Sequence, residues 1–182
     1  KLYNLIFKVT KNKLIEELKN GSPKENGWNI TRDLLGSYGT NYGLRAGVTK
    51  IGLGALPPVE AIYARASVDF TAQELSGEHQ YIIHFPVGKM PPVKAFWSIT
   101  MYDENGFLVS SAINRYLIGG RDPLKYNNDG SLDIAIQFEQ PEINAENWLP
   151  TPKGTFAVTL RLYLPQERIL DGSWTLPPLV RQ

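Results

Sequence analysis

From Ile62 onward the chain alternates. In IYARASVDF, Ile62, Ala64, Ala66, Val68 and Phe70 fall on one side, and Tyr63, Arg65, Ser67 and Asp69 on the other. That two-residue period is the mark of a half-buried strand. The period recurs in QYIIHF, AFWSITMY, FLVSSAI, LDIAIQF and TFAVTLRLYL. It predicts an inward set of Leu132, Ile134, Ile136 and Phe138 on one strand, and of Phe156, Val158, Leu160 and Leu162 on another. Asn-Gly in DENG and Asp-Gly in NNDGS are hairpin signals. Most of the 13 prolines sit between these runs, where a missing amide donor does no harm. The pattern predicts a mainly β fold, an antiparallel β-sandwich of jelly-roll type.

Upstream the period changes. Leu14, Ile15 and Leu18 are spaced as on a helix, and Asn20-Gly21 followed by Pro23 is a stop signal. A second helix is predicted in NYGLRAGVTKIG, ending near GLGALPP. The division that follows is an N-terminal helical segment, 1–40, and a β-sandwich domain, 41–182. Residues 1–19 hold five Lys and two Glu, a local excess of +3. A basic amphipathic helix suits a membrane surface. Here the apolar stripe is modest, and a helix docked to the domain with a solvated basic face fits better.

Composition narrows the partners. The chain has 182 residues, enough for one domain with a substantial core. A net charge of +1 removes the electrostatic case for nucleic acid. With no cysteine, disulfides and thiol nucleophiles are excluded. No run is long and apolar enough for an integral membrane segment. The chain starts at Lys1 and carries no signal peptide, which predicts a trimmed or processed chain with a missing upstream domain. NGS at Asn20 and NIT at Asn29 fit the glycosylation acceptor pattern, which chance produces often.

The stretch PPVKAFWSITMYDENG separates into two faces. Ala95, Trp97, Ile99 and Met101 lie on one, and Phe96, Ser98, Thr100 and Tyr102 on the other. Thr and Tyr have high strand propensity, so the second face needs no chemistry to explain it. This string, with NRY, DGSL, NWLPTPKGTF, RLYLP and LDGSWTLPP further on, resembles a bacterial family, domain of unknown function 1214. YGLRAGVTKIGLGALPPVEAIY resembles the segment that opens that module. The resemblance spans roughly Asn41 to Pro178. It implies a jelly-roll-like sandwich of periplasmic, envelope-associated or secreted origin, commonly preceded by a companion domain, number 1254. It implies no activity, and no catalytic residue is carried over from it.

Direct chemistry is thin. His79 and His84 stand five residues apart and point to opposite faces of a regular strand, so no shared metal and no cofactor is predicted. NNDGSLD offers oxygen ligands but lacks the glycine and distal Glu positions of an EF-hand loop; a tight turn explains it. There is no G-x-S-x-G elbow. If QYIIHF pairs with AFWSITMY, His84 would share a face with Ser98, which is the basis of a hydrolase alternative. His84 or Asp103 is its acid/base candidate and a glycan or glycan-linked compound its substrate. GLGA and the GK at Gly88 lack the context of phosphate cradles. Among Asp69, Asp103, Glu139 and Glu142 no spacing singles out a carboxylate pair.

One constellation remains. Arg65, Tyr102, Arg161 and Tyr163 fall on the polar faces of their strands, with Tyr63 nearby and Arg115 close to a strand end. Arginine beside tyrosine suits a glycan or an anionic small molecule, through forked donors and an aromatic platform. An arginine between leucines, as Arg161 is, must snorkel, pair or bind, and Asp69 or Asp103 could be its ion-pair partner. The expected function is non-catalytic binding of such a ligand or of a protein partner. A homo-oligomer assembled through sheet edges is the third reading.

Overall fold

The computed structural model describes residues 24–182, and Thr10 upstream of them. The first predicted helix, its basic excess and the Asn20 acceptor triplet lie outside the described residues. Among the described residues, ten strands form two sheets. In chain order they are β1 (Lys24–Glu25), β2 (Trp28–Ile30), β3 (Ala61–Ala66), β4 (Tyr81–Phe85) and β5 (Val93–Asp103), then β6 (Leu117–Gly119), β7 (Leu132–Gln137), β8 (Trp148–Pro150), β9 (Phe156–Pro165) and β10 (Leu179–Arg181). One sheet has the order β1-β2-β3-β9-β5-β6, the other β10-β4-β7-β8. The helices among residues 24–182 are few: α1 (Tyr42–Ile51), α2 (Glu167–Leu170) and a 3-10 turn at Ala145–Asn147.

The two-residue period explains the core. Ile62 and Ala64 of β3, Trp97, Ile99 and Met101 of β5, and Leu160 and Leu162 of β9 are all buried. They form one cluster with Ile83 and Phe85 of β4 and Ile134 and Ile136 of β7, which belong to the second sheet. Two aromatic pairs join the sheets. Phe85 and Trp97 have ring centroids 5.2 Å apart, and Tyr81 meets Phe156 edge-on at 5.8 Å. Such pairs add about 1 kcal/mol each beyond the area they bury.

α1 occupies the stretch predicted for the second helix. The Asn41 side chain caps it by accepting the Leu44 N–H at 3.0 Å. Just upstream, Asn26 and Gly27 both take positive φ, 51° and 88°. That is the geometry of a two-residue primed turn, and it folds Lys24–Ile30 into a hairpin that pairs with β3. The six-stranded sheet therefore begins upstream of Asn41.

Other expectations are corrected. FLVSSAI is not a strand: it holds a single bridge, Leu108 to Tyr102, and Phe107 is 70% exposed. DENG makes a tight turn, with the Asp103 carboxylate accepting the Asn105 and Phe107 N–H groups, yet no ladder follows it. The partner of β5 on that side is β6, ten residues further on. Phe138 does not face inward; β7 ends at Gln137, and Phe138 lies at the surface under the Lys153 ammonium, 5.1 Å away. The pairing is not wholly antiparallel either, since β7 and β8 run parallel. The loop from Phe138 to Asn147 is long enough to return the chain to the same end of β7.

Asp69 is buried where β3 ends. Burial raises its pKa, but the Thr71 hydroxyl, the Gln73 and Thr71 N–H groups and the Arg181 charge together hold it below the usual carboxylate value. A folded pKa below the unfolded one contributes stability that is present above the unfolded value and lost as pH falls through the folded one. Asp69→Asn is therefore expected to destabilise most at neutral pH. In urea unfolding, its deficit against the native chain should shrink as pH falls below about 4. A deficit independent of pH would refute the charge argument.

Candidate functional site

The outward face of the six-stranded sheet carries the candidate site. Antiparallel register sets Arg65 of β3 opposite Thr159 of β9, and Tyr63 opposite Arg161. From the other side, β5 sets Ser98 opposite Arg161, Thr100 opposite Thr159 and Phe96 opposite Tyr163. All of these side chains point away from the core because their neighbours, Ile62, Ala64, Leu160, Leu162, Trp97 and Ile99, point into it. The hydroxyl run of β5 now has its explanation. Thr100 is buried beneath Arg161 and accepts a hydrogen bond from its guanidinium, which also donates to the Tyr102 hydroxyl.

Arg161 and Arg65 share one ring. Their guanidinium carbons lie 5.6 and 5.8 Å from the Tyr102 centroid, within cation–π range. Beside them Phe96 stacks on Tyr163 at 4.5 Å, and Tyr163 meets Tyr63 edge-on at 6.2 Å. Arg121, from the turn after β6, lies 4.2 Å over the Phe96 ring and extends the array. The face thus alternates guanidinium and aromatic ring.

Its electrostatics are one-sided. Burial, then the neighbouring Tyr163 hydroxyl, pushes the Tyr63 pKa up to about 12, against the pull of Arg161. Tyr63 is neutral at physiological pH. Desolvation lowers the Arg65 pKa, opposed by Tyr102, yet a guanidinium remains a cation at any physiological pH. Among the described residues the ion pairs are Arg32–Glu25 and His84–Asp133, so neither Arg65 nor Arg161 has a carboxylate partner there. Asp69 and Asp103, the expected partners of Arg161, spend their carboxylates on nearby backbone N–H groups. On the same face, opposite Arg65, the buried Oδ1 of Asn29 has no hydrogen-bond partner among the described residues.

Two predicted site residues lie elsewhere. Arg115 donates to the Glu146 and Trp148 carbonyls at 2.9 and 2.8 Å, tying the loop before β6 to the edge of the second sheet. His84 does not share a face with Ser98. β4 pairs with β7 and β10, in the other sheet from β5, which overturns the register on which the hydrolase alternative was built. Opposite Asp133 in the ladder, His84 places Nδ1 2.6 Å from Asp133 Oδ1, and the other carboxylate oxygen accepts from Asn127 at 2.8 Å. His84 lines a cavity of about 360 Å³ together with Ser173 and Thr175. Among the described residues no group of three His, Cys, Asp or Glu is placed to hold a metal.

Phe96 was legible on the polar face by alternation, whereas Arg121 was not. It sits in a turn whose position over β5 comes from the tertiary fold.

Two sheets around one core and few helices among the described residues define a mainly β class of protein, with a cationic, aromatic outer face on its six-stranded sheet. The chain belongs to the DUF1214 family, described as "Protein of unknown function (DUF1214)", which it matches over residues 60–167. It is similar to the solved structure of the VPA0106 protein from Vibrio parahaemolyticus, with 26% identity and a TM-score of 0.69 over 94% of this chain. The chain spans 42% of the length of that protein. An uncharacterized protein from Burkholderia cenocepacia aligns at 14% identity and a TM-score of 0.49, covering 96% of this chain and 40% of that one. No curated protein matches the chain.

Proposed function

We propose that this chain is a non-catalytic binding module that takes an acidic glycan or another anionic small molecule on its Arg/Tyr face. The single observation that carries the reading is the pair Arg65 and Arg161 on one Tyr102 ring, without a carboxylate among the described residues. A guanidinium fork recognises a carboxylate or sulfate, and the Tyr63, Tyr163 and Phe96 rings offer a platform for a sugar. The finer parts of the reading are a jelly-roll arrangement of the two sheets, a periplasmic, envelope-associated or secreted location, and a companion domain upstream.

Calorimetric titration with a glucuronate-containing oligosaccharide and its neutral analogue tests the reading. The acidic compound is expected to bind and the neutral one to bind far more weakly. Arg161→Ala should weaken binding by about tenfold or more, the usual worth of a charge-assisted hydrogen bond, and should change unfolding stability less. Loss of folding with no ligand-dependent signal in the native chain would make Arg161 an internal structural group.

The hydrolase alternative keeps one observation: Asp133 orients His84 in a cavity that also holds two hydroxyls. Turnover of a glycoside or ester substrate that His84→Ala abolishes would favour it over binding.

A further inference from the structure

We propose that the cavity beside His84 is a second ligand site, separate from the Arg/Tyr face, for a small molecule that joins an oxyanion (carboxylate or phosphate) to an apolar or aromatic ring. At about 360 Å³ its volume falls within the range of small-molecule pockets. One part of its wall is cationic or hydrogen-bonding: Lys89, Arg168 and His84 line it, and among the described residues no Asp or Glu does. The rest is apolar: Pro86, Pro178 and Val180 keep exposed surface there, backed by the buried Trp174, Leu176 and Pro177. An oxyanion on a ring matches both halves.

The cations are available. Among the described residues neither Lys89 nor Arg168 has a carboxylate at ion-pair distance. The Asp171 carboxylate, on the C-terminal side of Arg168, accepts the Ser173 N–H at 2.7 Å; it feels the Arg168 charge but makes no ion pair with it. His84 uses Nδ1 on Asp133, which leaves Nε2 for a ligand.

The wall is also held open by bonds that do not depend on a ligand. The Trp174 indole N–H donates to the Lys89 carbonyl at 3.0 Å, and the Trp174 backbone N–H to the Arg168 carbonyl at 2.7 Å. The strap that follows is anchored on the β1–β2 hairpin. Asn26 donates to the Leu176 carbonyl at 2.7 Å, Trp28 to the Pro177 carbonyl at 2.8 Å, and Glu25 accepts the Leu176 N–H at 2.5 Å. With the backbone framed in this way, binding has only the Lys89 and Arg168 side chains to order.

The test follows the Trp174 indole resonance by ¹H–¹⁵N NMR, assigned with Trp174→Phe, during titration with benzoate, phenyl phosphate and inorganic phosphate. At least one of the two ring compounds should shift it saturably at millimolar concentration, and inorganic phosphate should bind at least about tenfold more weakly. Lys89→Ala with Arg168→Ala should weaken the ring compound by about tenfold or more. Arg161→Ala should leave it unchanged. The proposal fails if no probe moves the Trp174 signal, or if the double variant binds as tightly as the native chain. Inorganic phosphate binding as well as the ring compounds removes the apolar half of the assignment, and weakening by Arg161→Ala removes the separateness of the two sites. Should the double variant unfold, Lys89→Met alone, with a native spectrum, supplies the same readings. A failure here leaves the Arg/Tyr face untouched, because that face is read with the acidic oligosaccharide.

Discussion

Gly77→Ala is expected to destabilise the chain by about 3 kcal/mol or more, at the upper end of overpacking penalties. A Cβ built on Gly77 overlaps the backbone carbonyl oxygen of Pro152 and comes within 3.0 Å of Thr151 Oγ1. A carbonyl fixed in the main chain cannot swing aside as the tip of a long side chain can, so the two segments must separate. What they would lose includes the hydrogen bond from the Gly77 N–H to the Gly154 carbonyl at 3.0 Å and the neighbouring Ser76–Thr155 bridge. Gly154 supplies the control. Nothing among the described residues lies within 4 Å of a Cβ built there, and Gly154→Ala should stay within about 0.5 kcal/mol of the native chain, as surface substitutions usually do. Urea unfolding of the two variants checks the contrast. Equal midpoints would show that the chain can widen at Gly77 without cost.

The second large effect is Trp28→Ala. Trp28 is fully buried, and its indole N–H donates to the Pro177 carbonyl. Removing the ring opens a core cavity and leaves a buried carbonyl unpaired. Together these should cost about 4 kcal/mol, the middle of the range for such truncations. For a chain of this size that corresponds to a fall in Tm of roughly 10 °C. Trp28→Phe keeps most of the apolar contact and loses the hydrogen bond, so it should recover more than half of the deficit. A loss below about 1 kcal/mol for Trp28→Ala would mean that β1 and β2 decorate the six-stranded sheet without supporting it.

Both predictions concern joins that no strand pattern announces. Alternation placed Ile62, Trp97, Ile134 and Leu160 in the core, and all four are buried in one cluster. It failed at FLVSSAI because period two describes a face and cannot say that a partner strand is within reach. Without a ladder, Phe107 and Leu108 remain at the surface. The hairpin at ENGW was not among the strands read from alternation: its Asn-Gly carries the hairpin signal, but its two flanking strands are too short to show a period.

The candidate site divides along the same line. That Arg65, Tyr102, Arg161 and Tyr163 lie on the polar sides of their strands follows from local chemistry. Leucine and isoleucine neighbours gain by burial, and a one-residue shift would expose them all. That β3, β9 and β5 are adjacent, and so bring two guanidiniums to one tyrosine ring, depends on pairings between residues roughly sixty to a hundred positions apart. So does the parting of His84 from Ser98 into different sheets. Periodicity is written into each segment by side-chain burial, whereas strand order is chosen by the whole chain, through contacts among segments that carry almost the same pattern. The chain's own order of residues was enough for the faces of the strands that form; which segments form strands at all, and beside which neighbours, had to come from the folded molecule.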